Sequence, residues 1–305
     1  MNNLSLILGA LGPIFAMILL GAGLRWLKFP GDSFWPAAER FTYFLLFPAL
    51  LMRQLALARL TDYAVKPVAL VIIALLLLMT AVVYALRPWL KVDGPAFTSV
   101  YQGVIRFNTY VGLAVVLAVF HADGGTVAAL VMAIMIPLIN VLCVLVLTAH
   151  AGGGVTVGGV LRGLITNPLI VACLVGIGLN MTGIGLPLGS AAMLDILARA
   201  ALPLGLLAVG AGLRLDALAR PGLLVGTSAL KLLIMPVLAG ALCWLVNPGR
   251  LETAVLVTFA ALPSASAAYI LARQLGGDGA LIAAILTVET ALALVTLPMV
   301  LVWVV

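Results

Sequence analysis

The stretch VIRFNTYVG, residues 104–112, places polar residues inside one of the most apolar parts of the chain. It lies between FTSVYQG and LAVVLAVF, and near its centre stand Arg106 and Asn108. An arginine at the centre of a membrane-spanning helix costs about 2.5–3.5 kcal/mol on insertion scales unless water or a partner stabilises it. The position of these two side chains therefore predicts a polar pocket inside the membrane, at a break in a spanning helix.

The composition around this stretch is that of a membrane protein. Hydrophobic residues make up 65% of the 305 residues and charged residues 9%, against roughly a quarter charged in soluble domains. A helix needs about 20 mainly apolar residues to cross a bilayer, and continuous apolar runs without alternation favour helices over a β-barrel. The sequence predicts ten spans, at 4–25, 34–57, 66–88, 97–119, 126–149, 161–181, 190–213, 222–246, 251–272 and 279–304.

The first half of the chain recurs in the second half at a constant offset of 155 residues. Pro48 corresponds to Pro203, and Thr109 corresponds to Ser264. Composition alone does not readily produce one offset close to half the chain length, so the pattern indicates an internal repeat. Each half then contains five of the ten predicted spans.

The predicted halves are residues 1–150 and 161–305, joined by a glycine-rich cytoplasmic link at 151–160. Because five is an odd number, the second half begins on the opposite side of the membrane and is an inverted copy of the first. Inverted repeats are typical of secondary transporters, whose substrate lies near the midplane on broken helices. The sequence therefore predicts an all-α polytopic membrane protein of two inverted five-helix repeats, in which the broken spans 4 and 9 cross.

At the same offset of 155 residues, the stretch around Asn108 corresponds to LPSASA, residues 262–267 in span 9. A proline in this segment interrupts the helix. Backbone groups freed at two such breaks must be satisfied by side chains, water or a ligand. An arginine there offers positive charge, amide and hydroxyl groups offer hydrogen bonds, and helix N-termini attract an anion. The candidate substrate-binding residues are Arg106, Asn108, Thr109, Pro263, Ser264 and Ser266.

Other ionisable residues inside the spans have more than one interpretation. Glu289 lies about ten residues into span 10, where it either forms an ion pair, with Arg106 as the obvious partner, or carries a coupling proton. Lys231 lies less than three turns into span 8, and we expect it to extend to the membrane interface. Asp195 and Arg199 are four residues apart and are expected to neutralise each other on one helix face.

The distribution of basic residues predicts the orientation in the inner membrane. With the N-terminus outside, eight Lys and Arg residues lie in cytoplasmic connections and four on the opposite side, which agrees with the positive-inside rule. The eight are Arg25, Lys28, Arg87, Lys91, Arg162, Arg214, Arg220 and Arg273, and the four are Arg53, Arg59, Lys66 and Arg250. Both termini are therefore expected outside.

Three motifs resemble those of the auxin efflux carrier family, in particular its bacterial malonate-type carriers. They are LLFPALLMRQLA in span 2, RFNTYVGLAV in span 4 and LPSASAAYILA in span 9, and the resemblance covers essentially the whole chain. It implies a fold shared with bile-acid symporters and sodium/proton antiporters. In that fold a scaffold of spans 1, 2, 6 and 7 and a transport group of spans 3–5 and 8–10 move relative to each other in an elevator-type cycle.

The resemblance implies roles for two residues by position. The crossover asparagine of the family would be Asn108, and its second-crossover proline would be Pro263. This chain departs from the family in having no proline at the first crossover, and Ser264 and Ser266 rather than an asparagine at the second. A small carboxylate is therefore a better candidate substrate than an indole acid. The resemblance also implies a homodimer.

The sequence predicts a secondary transporter of a small organic anion, with membrane lipid as the other partner and no cofactor, metal or nucleic acid. The alternative is a membrane sensor that binds its ligand without moving it, although no soluble signalling domain is predicted. An enzyme is not expected, because no paired carboxylates, His cluster or nucleophile constellation is present. Proton coupling and uniport both remain open, and no acidic and amide cluster indicates sodium.

Overall fold

A computed structural model describes residues 3–58, 63–151, 158, 165–186, 189–214 and 220–305, and within them it contains helices and no strand. The predicted link at 151–160 lies largely outside these residues, as do Arg59 and Arg162. The helices are α1 (Asn3–Trp26), α2 (Phe34–Phe41), α3 (Phe47–Ala56), α4 (Val65–Leu90), α5 (Gly94–Ile105), α6 (Thr109–Ala151), α7 (Pro168–Met181), α8 (Ser190–Ala211), α9 (Pro221–Ala229), α10 (Met235–Val246), α11 (Arg250–Ala260), α12 (Ala267–Leu275) and α13 (Gly279–Val304).

Two pairs of these helices are continuous across a π-helical turn. Thr42–Leu46 joins α2 to α3, and Leu230–Ile234 joins α9 to α10. A proline follows each turn, at Pro48 and Pro236. Proline has no N–H to donate and crowds the preceding turn, so wider hydrogen bonding just before it keeps the helix continuous.

The helices coincide with the ten predicted spans. Span 4 is formed by α5 and the first part of α6, and span 5 by the rest of α6. The two parts of α6 meet at His121, whose φ of 55° is not helical. By length and apolar composition, six segments of the described chain can cross a membrane: Ser5–Trp26, Val65–Leu90, Gly94–Ala151, Ser190–Ala211, Pro221–Val246 and Gly279–Val304. The third is 58 residues long, enough for two crossings.

The remaining predicted spans are shorter or less regular. The helix Pro168–Met181 is apolar but has only 14 residues. The segment Phe34–Ala56 carries charged side chains, and Arg250–Leu275 is interrupted between α11 and α12. Polar or broken segments of this kind are found in membrane proteins where the backbone is covered by neighbouring helices or lines a cavity.

The helices pack as two groups. Within the first group, α3 packs extensively on α7 and α8, and α1 packs along α8. Within the second, α6 packs on α5 and α11, and α4 packs on α10. The contacts between the groups, which α6 makes with α1, α3, α7 and α8 and which α1 makes with α13, are less extensive.

Glycine allows α1 and α8 to approach closely. A Cβ atom on Gly210 would clash with the Ile18 carbonyl group, and one on Gly21 would clash with the Leu207 carbonyl group. Close backbone contact through small residues is a common way for membrane helices to associate. By contrast, a Cβ atom on Gly23 would have no neighbour within 4 Å.

Candidate functional site

The chain breaks at the two predicted positions, and the two breaks are in contact. The helix α5 ends at Ile105 and α6 begins at Thr109, while α11 ends at Ala260 and α12 begins at Ala267. The backbone N–H of Asn108 donates to the carbonyl oxygen of Pro263 at 2.8 Å. Residues 106–108 and 261–266 will be called the first and second interruptions.

Asn108 organises the first interruption. Its side-chain Oδ1 accepts hydrogen bonds from the backbone N–H groups of Tyr110 at 3.1 Å and Val111 at 3.2 Å. These bonds satisfy N–H groups in the first turn of α6, as a helix N-cap does. Asn108 is buried, so its side chain fixes the start of α6 from inside the protein. Thr109 is half-buried at the first position of that helix.

Arg106 lies at the end of α5 and is only partly satisfied. Its Nη2 donates to Asn140 Oδ1 on α6 at 3.1 Å, whereas its buried Nη1 has no hydrogen-bond partner. The pair of Arg106 with Glu289, one of the two alternatives for Glu289, is not formed. The reason is the fold, which directs the guanidinium towards α6 and leaves Glu289 on the side of α13 that faces the second interruption.

Ser264 ties the second interruption to two helices. Its backbone N–H donates to Glu289 Oε2 at 2.9 Å, and its Oγ lies 2.6 Å from the same oxygen. The same hydroxyl also lies within hydrogen-bond distance of the carbonyl oxygen of Gly103 on α5, so its single hydrogen is shared between the two acceptors. Ser264 and Glu289 are both fully enclosed, and Glu289 Oε1 has no partner.

Lys231 lies within electrostatic reach of Glu289, although the two side chains form no ion pair within 4 Å. It lies on the π-helical turn between α9 and α10, it is fully buried, and its Nζ lies 3.3 Å from Met235 Sδ. The expectation that Lys231 extends to the membrane interface is therefore wrong. The turn directs its side chain into the protein, where the nearby carboxylate offsets part of the cost of burying an ammonium group.

Ser266 contacts a residue that the sequence analysis did not select. Its hydroxyl forms a short hydrogen bond with Glu39 Oε1 on α2. The hydroxyl of Tyr110 is buried without a partner and lies within electrostatic reach of Glu39 and Tyr43. Tyr43 in turn interacts with Arg106 and with Asn167, the residue that caps α7. The space between the two helix groups is thus lined by polar side chains from both.

Gln102 is a second residue that the sequence analysis missed. It is fully buried, and neither its Oε1 nor its Nε2 has a hydrogen-bond partner. Gln102 precedes Arg106 by four residues, so the two side chains lie on one face of α5. A polar residue at that spacing inside an apolar span was visible in the sequence, and so was the acidic residue Glu39 in span 2.

Two cavities lie away from the interruptions. One of about 430 Å³ is lined by residues that include Arg53, Tyr63 and Asp123, and one of about 400 Å³ by residues that include Lys91 and Arg220. The helix α4 begins next to the first cavity and ends at the second. Its 26 residues separate them by about 39 Å, so the cavities open at opposite ends of the helix assembly.

The expected pair of Asp195 and Arg199 is present. Asp195 Oδ2 accepts from Arg199 at 2.7 Å, and Asp195 Oδ1 also pairs with Arg53 on α3 at 3.0 Å. Among the described residues, no group of three His, Cys, Asp or Glu side chains is positioned to bind a metal ion. The polar groups at the interruptions can bind an anion through a guanidinium group, hydroxyl groups and helix N-termini.

Comparison with known proteins gives one family. The sequence model of a family described as membrane transport protein matches residues 6–301, which include both interruptions. A comparison with curated proteins finds no match.

Proposed function

This chain belongs to the membrane transport protein family, the family of auxin efflux carriers, and on that premise we propose that it is a secondary transporter of a small organic anion. The family is one of membrane transporters and not of enzymes, and the chain is a multi-pass membrane protein. The proposed substrate is a mono- or dicarboxylate such as malonate, bound where the two interruptions meet.

The observation that carries this proposal is a set of buried polar atoms without partners at the first interruption. Arg106 Nη1, both side-chain atoms of Gln102 and the Tyr110 hydroxyl are all buried and unpaired. A buried polar group without a hydrogen bond costs about 1–3 kcal/mol, so the occurrence of such atoms on three residues at or within one helical turn of the first interruption is best explained by a polar ligand or water that they bind. Three of these four atoms can donate a hydrogen bond, which is the chemistry that a carboxylate requires.

The second interruption suits a second anionic group. The helix α12 begins directly after Ser266, and a helix N-terminus carries a partial positive charge. A dicarboxylate could place one carboxylate near Arg106 and the other near Ser266. The malonate-type branch that the sequence resembles has substrates of this size.

The proposal includes two inverted five-helix repeats at 1–150 and 161–305, with the interrupted spans 4 and 9 crossing. In support, α4 and the segment Pro221–Val246 are both 26 residues long. Each of them also ends on a residue in the left-handed conformation, Lys91 in the first repeat and Asn247 in the second. Helices that end alike and precede an interrupted helix in each half are what a repeat would produce.

The packing is compatible with an elevator-type cycle. The first helix group consists of spans 1, 2, 6 and 7 and would be the scaffold, and the second consists of spans 3–5 and 8–10 and would carry the substrate. Since the contacts within each group exceed those between them, the groups could move as bodies. The cavity lined by Arg53 of the first group and Asp123 of the second would then be one approach to the site.

We assign Glu289 to a structural electrostatic interaction with Lys231 rather than to proton coupling. Its Oε2 accepts from the N–H of Ser264 and lies within hydrogen-bond distance of the Ser264 hydroxyl, and the positive charge of Lys231, on the turn between α9 and α10, favours the ionised carboxylate. These contacts hold the second interruption in place. The chain would lie in the inner membrane with both termini outside, and the homodimer that the resemblance implies is part of the same proposal.

Currents on a solid-supported membrane test the proposed function. Purified protein in liposomes is challenged with malonate, succinate, lactate, pyruvate and indole-3-acetate, with and without sodium. We expect a malonate-dependent current that does not require sodium and that is lost in Asn108→Ala. Binding to the protein without current, and without counterflow of labelled malonate, would instead identify a membrane sensor, and no binding of any of the anions would refute the anion site.

A further inference from the structure

Glu39 provides a carboxylate at the place where an anion would bind. It belongs to α2 in the first helix group, and it accepts a hydrogen bond from Ser266 in the second group. Ser266 immediately precedes the first turn of α12. The protein therefore has one of its own carboxylates at the hydroxyl and the helix N-terminus of the second interruption.

No basic side chain neutralises this carboxylate. Among the described residues Glu39 has no ion pair, and the groups near it are the hydroxyl of Ser266, which forms a hydrogen bond with it, and the hydroxyl of Tyr110. Its neighbour Arg40 is exposed, with its guanidinium 6.0 Å from the Phe44 ring. The helix packed on α2 is α8, and its charged residues are Asp195 and Arg199, which pair with each other.

We propose that the Glu39 carboxylate takes the place of the substrate anion in the empty site, where it accepts the hydrogen bond of the Ser266 hydroxyl. When a substrate carboxylate displaces it from Ser266, Glu39 takes up one proton. This inference rests on the proposed function, because it specifies how the same site receives its anion. The inference adds Glu39, which no sequence motif selected, to the substrate site. It also means that substrate transport is coupled to a proton.

The reason is electrostatic. Two ionised carboxylates cannot share one hydroxyl donor in a region of low polarity, and such pairs bind one proton between them. The proton comes from the solution that delivers the substrate, and it leaves when the substrate leaves and Glu39 returns to Ser266. Since the displaced bond joins the two helix groups, the same event releases one connection between the scaffold and the substrate-carrying group.

The test measures protons and affinity together. Malonate is added to purified protein in weak buffer at pH 7 and pH 8, where both of its carboxyl groups are ionised, and proton uptake is followed with a pH-sensitive dye. We expect wild type to take up about one proton for each malonate bound. The half-saturating malonate concentration of wild type should rise by up to about tenfold from pH 7 to pH 8, because tenfold per pH unit is the limit when binding takes up one proton.

The variant Glu39→Gln keeps an oxygen acceptor for Ser266 and removes the charge. We expect it to bind malonate without proton uptake, with less than about a twofold change in half-saturation over the same pH unit, and more tightly than wild type at pH 8. The matched control is Glu252→Gln. Glu252 is a buried glutamate on α11, and its carboxylate accepts a hydrogen bond from the backbone N–H of Ala64. This control should behave as wild type.

Three results would overturn the inference. One is proton uptake by Glu39→Gln equal to that of wild type. Another is a pH dependence that vanishes in Glu289→Gln and persists in Glu39→Gln. If Glu39→Gln does not fold, Glu39→Asp shortens the side chain by one methylene and withdraws it from Ser266, and unchanged affinity in that variant would also contradict the proposal. A wild-type protein that binds none of the five anions refutes the proposed function itself, and if one of the others binds in place of malonate the same measurements are made with that anion.

Discussion

Replacing Arg106 with methionine separates a ligand-binding residue from a structural one. The substitution keeps the apolar stem and removes every donor of the guanidinium. In the empty protein, it eliminates the buried Nη1 that has no partner and leaves Asn140 Oδ1 without the hydrogen bond from Nη2. Each of these terms is about 1–3 kcal/mol and they have opposite signs, so the free energy of unfolding should change by no more than about 2 kcal/mol in either direction.

The effect on substrate should be much larger. A hydrogen bond between a charged group and a carboxylate contributes about 1.5–3 kcal/mol. Since each 1.4 kcal/mol is a factor of ten, Arg106→Met should raise the half-saturating malonate concentration roughly 10- to 150-fold. Arg106→Lys should recover part of this loss, because it restores the charge without the planar fork of donors.

Currents at increasing malonate concentration and thermal unfolding of the same samples provide the two measurements. Arg199→Met is the control, because Arg199 is an exposed arginine that pairs with Asp195 at a distance from both interruptions. The reasoning is refuted if Arg106→Met strongly destabilises the protein while the half-saturating concentration stays at the wild-type value. That result would make Arg106 a structural residue, held by Asn140 for the sake of packing.

Three further predictions concern the framework of the site. Asn108→Ala should lower the free energy of unfolding by about 0.5–2 kcal/mol through loss of the α6 cap and abolish current, while Asn108→Ser, measured in the same way, should retain most of the stability. Gly210→Ala should destabilise the close contact of α1 with α8, whereas Gly23→Ala, in open space, should unfold as wild type does. Glu289→Gln should lower the free energy of unfolding because it removes a carboxylate that offsets the burial of Lys231, and adding Lys231→Met should recover part of that loss in chemical denaturation; full stability in the single variant would show that the carboxylate does not stabilise the lysine.

The interruptions are the part of the site that the sequence predicted best. Pro263 cannot donate a helical hydrogen bond, and Arg106 and Asn108 are costly inside an apolar span, so both breaks could be placed by local chemistry. The contact between the breaks, from Asn108 N–H to the Pro263 carbonyl, agrees with the expectation that they meet. The breaks are local, but their contact joins residues from the two halves of the chain.

The side-chain partners were predicted less well. Asp195 and Arg199 were paired correctly because they are one helical turn apart, and the geometry of a helix fixes their distance. For Glu289 the sequence left open an ion pair with Arg106 and proton coupling, and the structure places Ser264 on its carboxylate and Lys231 within electrostatic reach. Glu39 and Gln102 were not selected, since nothing in spans 2 and 4 alone shows which helix face is turned to the other group.

The sequence by itself determined that the chain spans a membrane, where its helices lie and where two of them break. These properties depend on the transfer of side chains and backbone groups from water to lipid, which is set residue by residue. Only the tertiary structure decided that Glu39 contacts Ser266, that Lys231 is buried beside Glu289 and that Arg106 turns to Asn140. Such pairings depend on the rotation and close packing of helices that are far apart in the chain, and no local pattern carries that information.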